Sequence, residues 1–138
     1  MVGLAFFLLC MTSGYVALAY GDMSGEERIY QNGDHSEYHV RSVTLAEDPY
    51  HRKYEIVDEK RFHEYLSGLS LSEITGNYSF NSFEIRVQYL MNTPKGTLAV
   101  TLSDNVIKIT ELYGGNPKTE HYYIRDGVDW EYLEELYF

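Results

Sequence analysis

The chain has 138 residues, 44% hydrophobic and 23% charged, which fits one folded domain and excludes wholesale disorder. With 11 Lys+Arg against 21 Asp+Glu its formal net charge is -10, an average surface that repels DNA and RNA. One Cys excludes an intramolecular disulfide and any multi-cysteine zinc site, and the unusual abundance is Tyr, with 14 residues.

No side chain from Met1 through Gly21 is charged, so all 21 acidic and 11 basic residues lie beyond that point. Leu4 to Met11 is an apolar run of signal-peptide length, and Ala17-Leu18-Ala19 places small residues two apart ahead of a cleavage point. The first reading is a signal peptide cleaved after Ala19, which leaves a mature chain beginning at Tyr20. An uncleaved single-pass anchor is the second, since the run just reaches spanning length. A lipoprotein at Cys10 is disfavoured by the bulky Leu9 before it, and a buried N-terminal strand or helix completes the alternatives. The leading region carries no Lys or Arg, which weakens the positive-inside signal. The division expected is a signal peptide or membrane anchor over 1–19, a polar tether over 20–36, and one domain over 37–138. Membrane contact is confined to residues 1–21, should they remain attached. The location expected is extracytoplasmic, either secreted or anchored.

Tyr38 to Leu45 is rich in β-branched and aromatic residues and predicts a strand, with Glu47-Asp48-Pro49-Tyr50 as a turn and Arg52 to Val57 as its hairpin partner. Asp58 stands at a helix N-cap position, and Phe62, Tyr65, Leu66 and Leu69 follow at i, i+3, i+4 and i+7. Leu71 and Ile74 extend this into an irregular turn ended by Gly76-Asn77. Phe83 to Tyr89 alternates, with Phe83, Ile85, Val87 and Tyr89 on one face. After Asn92 to Gly96, Thr97 to Leu102 alternates again, with Leu98, Val100 and Leu102 inward. Val106 to Leu112 and Thr119 to Arg125 follow, joined by Gly114-Gly115-Asn116-Pro117. Asp129 caps a last helix whose stripe is Trp130, Leu133, Leu136 and Tyr137, with Glu131, Glu134 and Glu135 on its wet side. A helix this short needs the sheet to support it. The fold class expected is α+β: an antiparallel meander of four strands plus an N-terminal hairpin, one helix between them, and a C-terminal helix packed on the sheet.

Over residues 38–137 this order, behind an export signal, resembles several families of small exported α+β proteins of unknown function from Gram-positive bacteria. The succession of strand, helix and four-stranded meander is also similar to cystatin-like domains. Their inhibitory loop reads Gln-x-Val-x-Gly, whereas Gln88 here is followed by Tyr89-Leu90-Met91-Asn92, so no inhibitory residues carry over.

Chemistry-bearing motifs are sparse. There is no Gly-x-Ser-x-Gly elbow, and Gly114-Gly115 lacks the Lys-Ser/Thr of a phosphate loop. His35 and His39 share a helical face at four-residue spacing, but on a strand they stand about 13 Å apart, too far for one ion. His63, next to Phe62, reads as a half-buried packing residue. Asp104-Asn105 and Asp126-Gly127 read as turn formers, and no calcium loop is present. No catalytic residue, cofactor or metal is assigned. Tyr54, Tyr65 and Tyr89 fall on apolar stripes and read as core. Tyr113, Tyr122 and Tyr123 cluster around the last hairpin as candidate exposed binding aromatics, with Tyr122 and Tyr123 on opposite faces. The function expected is a non-enzymatic binding domain whose partner is a protein, a peptide or a cell-surface polymer. The alternatives are an inhibitor or immunity-type protein for a basic partner, and a small carboxylate-dependent hydrolase.

Overall fold

The computed structural model describes residues 22–48, 50, 54–76 and 85–137. The expected export segment, the start of the second strand at Arg52, and Phe83–Glu84 lie outside the described residues.

A seven-stranded antiparallel sheet organises the chain. In sequence the strands are β1 (Asp22–Ser24), β2 (His39–Leu45), β3 (Ser70–Ile74), β4 (Val87–Thr93), β5 (Gly96–Leu102), β6 (Val106–Leu112) and β7 (Lys118–Ile124). In space they run β1-β3-β7-β6-β5-β4-β2. A π-helical turn (Glu26–Tyr30) and a 3-10 turn (His35–Glu37) precede β2; helix α1 (Glu59–Ser67) precedes β3, and α2 (Trp130–Glu134) follows β7. The class is α+β, as the sequence implies.

Period-two patterning explains the central strands. Leu98, Val100 and Leu102 of β5 are fully buried and pair with Met91, Tyr89 and Val87 of β4. Val100 and Leu102 also pair with Ile109 and Ile107 of β6. This face is the core. Phe62 and Leu66 of α1 pack on it, as do Leu133 of α2 and Leu136 just beyond. Both helices start at the predicted caps: Asp58 accepts from the Arg61 amide at 3.1 Å, and Asp129 from the Tyr132 amide at 3.1 Å. The helices also brace each other. Tyr65 and Tyr132 stack with centroids 5.6 Å apart, and the Tyr65 hydroxyl accepts from the Asp129 amide at 2.8 Å.

Four expectations need correction. Residues 22–36 are no polar tether, because Ile29 and Tyr30 are buried core and Arg28 is 9% exposed. Gly25 lets this segment cross α1 closely, since a Cβ there would stand 1.7 Å from the Leu66 carbonyl oxygen. Ser24 and Glu27 exchange side-chain-to-amide hydrogen bonds at 3.1 Å, a capping box that starts the π-helical turn. Leu71 and Ile74 belong to strand β3, not to an irregular turn; β3 is needed to link β1 to β7. Strand β2 pairs with β4, and of the expected N-terminal hairpin the described residues show one antiparallel bridge, Val43 to Tyr54, while Ile56 bridges Tyr137 instead. Trp130, the first residue of the stripe expected to pack on the sheet, is only partly buried, so α2 is seated by Leu133 and Leu136.

Candidate functional site

The three candidate aromatics do not form one surface. Tyr122 is 2% exposed and lies on the core face. Its hydroxyl accepts from Arg28 Nε at 2.6 Å and donates to Glu120 at 2.9 Å, and burial pushes its pKa up to about 12. Tyr113 is half-buried against the core cluster. Tyr123, one position on, is 52% exposed on the opposite face. Alternation along β7 separates the pair, with Tyr122 on the core face beside buried Ile124 and bonded there to Arg28.

Arg28 closes the core face at the β6–β7 end, with its guanidinium on Glu111 at 2.9 Å and on Glu120 at 2.8 Å. These are the two acids of strands β4 to β7, and both point to the helical side. The opposite face of the same strands is therefore free of acids. It bears Gln88, Leu90 and Asn92 from β4, and Thr97, Ala99 and Thr101 from β5. From β6 and β7 come Lys108, Thr110 and Leu112, then Thr119, His121 and Tyr123. No described helix packs on it. Leu112 is 41% exposed there, whereas Ala99, Thr101 and Val106 on the same face are buried. On a chain of net charge -10, this is a neutral to weakly basic surface of hydroxyls, amides and one large aromatic. Charge depletion with an exposed Tyr is the composition of interface centres. Some of its polar groups serve one another, Gln88 donating to Thr101 at 3.3 Å and Thr110 bonding Thr119 at 3.0 Å, while Gln88, Asn92 and Thr119 are exposed.

A shallow groove beside α2 is lined by Leu45, Glu47, Arg86, Val87, Trp130, Glu134 and Tyr137. Its residues mostly serve one another. Arg86 stacks on Trp130 at 4.5 Å, and both donate to Asp104, at 3.0 and 2.9 Å. Glu47 and Glu134 are exposed, so the groove supplies no enclosed place for carboxylate chemistry.

Among the described residues, Tyr30, His63 and Glu59 are ordered as phenol, imidazole and carboxylate. His63 Nδ1 lies 2.6 Å from the Tyr30 hydroxyl, and Nε2 lies 2.8 Å from the Tyr38 carbonyl oxygen and 3.3 Å from Glu59. Tyr30 is fully buried and His63 is 3% exposed, deeper than the half-buried position expected. Burial also holds the Tyr30 phenol well above its ordinary pKa. A substrate has no access to this set, which fastens elements together. His35 bonds Glu26 at 2.6 Å and His39 is exposed at the start of β2. Among the described residues no group of three His, Cys, Asp or Glu side chains is placed to hold a metal ion, and no described helix is long and apolar enough to cross a membrane.

Comparison with known protein families, with curated proteins and with solved structures found no match. Tyr123 was the one predicted aromatic that faces water; the acid-free strand face was not foreseen. Its signal lies in the outward positions Gln88, Thr97, Thr101, Thr110 and Thr119, which carry amides and hydroxyls where an acidic chain would ordinarily place carboxylates.

Proposed function

We propose that the chain is an exported or membrane-tethered, non-enzymatic binding domain that meets its partner through the open face of strands β4 to β7. The observation that carries this reading is the exclusion of every acid from that face on a chain with 21 of them. The uncharged N-terminal run supports export, and a domain without disulfides tolerates oxidising surroundings through its core. The partner is a protein, a peptide or a cell-surface polymer, held by Tyr123 and the surrounding hydroxyls. A second reading, an inhibitor or immunity-type protein for a basic partner, is favoured by the net charge and by exposed Glu131, Glu134 and Glu135 along α2.

Pull-down from the native extracellular fraction separates the two. Thr110→Glu and Tyr123→Ala are expected to weaken capture of the principal partner by at least about tenfold, each removing a central contact. Full capture by both variants, with loss on neutralising the three α2 glutamates, overturns the first reading in favour of the second. N-terminal sequencing of the secreted form is expected to begin at Tyr20.

A further inference from the structure

The segment Asp22–Tyr38 lies across α1 and the core face and is fastened at two places. Arg28 is one, among Glu111, Glu120 and Tyr122. His63 is the other, because both of its ring nitrogens bond this segment. The Tyr38 carbonyl can only accept, so Nε2 carries the hydrogen. In the neutral ring Nδ1 then has none, and it accepts from the Tyr30 hydroxyl. The Tyr38 hydroxyl in turn donates to the Tyr30 carbonyl at 3.1 Å, closing the loop on itself.

One added proton breaks this arrangement. Nδ1–H would face the Tyr30 hydroxyl, whose own hydrogen must find another acceptor in a fully buried site. The ionisable groups around the ring come from three elements. Glu59 lies on α1 beside Nε2; Tyr30 and Glu26 lie on the π-helical turn; His35 and Tyr38 follow it. The His35 ring is 6.2 Å from that of His63 and 4.2 Å from that of Tyr30, and it opposes charge on His63.

We propose that His63 makes this segment a proton-sensitive latch: once protonated it no longer accepts from Tyr30, and residues 29–38 come away from α1. Burial outweighs the attraction of Glu59 and holds the fastened ring below the ordinary histidine pKa. The released ring titrates near about 6.5 and so takes up a proton that the fastened ring refuses. Above that pH the latch is insensitive. Below it the open population climbs by up to about tenfold per pH unit, until the pH reaches the lower pKa of the fastened ring.

Hydrogen exchange on the full chain tests this between about pH 7.5 and 5.5, with rates corrected for intrinsic chemistry. The Gly33 and Tyr38 amides, bonded to the Tyr30 and His35 carbonyls, are expected to lose protection about tenfold per unit below about pH 6.5 while β5 and β6 amides hold theirs. His63→Gln keeps a donor and an acceptor but cannot titrate, and should flatten the profile. A flat profile in the wild type, an unchanged slope in His63→Gln, or parallel loss in β5 and β6 overturns the latch. Should His63→Gln fail to fold, the NMR titration of His63 in the wild type decides: protonation above about pH 6.5 with protection intact overturns it.

Discussion

The two ends of the chain cover the same face of the sheet by opposite means. The N-terminal segment is held by polar groups taken out of water: Arg28 on two carboxylates and a phenol, and His63 on Tyr30 and Tyr38. The C-terminal cover is held by apolar side chains, Leu133 and Leu136, both fully buried, with Trp130 and Tyr137 at the rim. Tyr137 meets the Tyr89 hydroxyl there, and burial pushes its pKa up to about 12. Polar fastenings specify where a segment sits and respond to protons; apolar ones hold across pH. One domain thus has a cover that can be unfastened and another that cannot.

The sharpest way to break this contrast is at Arg28. Arg28→Ala leaves Glu111 and Glu120 on the core face without their cation, and removing one partner of a buried ion pair costs about 3–5 kcal/mol. Chemical denaturation should read that loss. A cost below about 1 kcal/mol would mark the ion cluster as a surface feature and equalise the two ends. Leu133→Ala tests the other cover. Truncating a fully buried leucine costs about 2–5 kcal/mol, and the loss should be the same at pH 7.5 and pH 5.5. Trp130→Ala should cost less than Leu133→Ala, since the indole is only half-buried and its partners Arg86 and Asp104 are exposed enough to rehydrate.

Local signals were legible in the sequence wherever both members of an interaction are near in the chain. Asp58 and Asp129 announced their helices, and the alternation of Leu98, Val100 and Leu102 announced β5 and its buried face. The N-terminal segment was misread because its partners are remote: Arg28 bonds Glu111, Glu120 and Tyr122, separated by 83, 92 and 94 positions. Glycines and acids look like linker composition until those partners are seen. A nearer clue existed in Ser24 and Glu27, a capping pair three residues apart. The site follows the same rule. Alternation places Tyr122 and Tyr123 on opposite faces, and the buried Ile124, two positions from Tyr122, puts Tyr122 on the inner one. The acid-free face is a property of four strands together, so no single window of sequence displays it.

The two glycines at the C-terminal end of α1 sharpen the comparison at the level of a single methyl group, one with a large expected effect and one with the smallest. Gly25 and Gly68 both have negative φ, -60° and -85°, so conformation does not distinguish them. Space does. At Gly25 an added Cβ meets backbone at 1.7 Å, and Leu66 cannot yield without shifting the end of α1. Gly25→Ala should therefore destabilise by about 3 kcal/mol, the upper part of the overpacking range, and raise exchange in the N-terminal segment first. At Gly68 the nearest atoms to a new Cβ are carbonyl oxygens at 3.5 and 3.7 Å, ordinary contact. Gly68→Ala should stabilise by about 0.4–1 kcal/mol, because the alanine restricts the unfolded chain while fitting the folded one. Equal and opposite shifts are not expected. If Gly25→Ala were as benign as Gly68→Ala in thermal unfolding, the segment would not lie against α1, and the polar cover would lose the contact that aligns Tyr30 with His63.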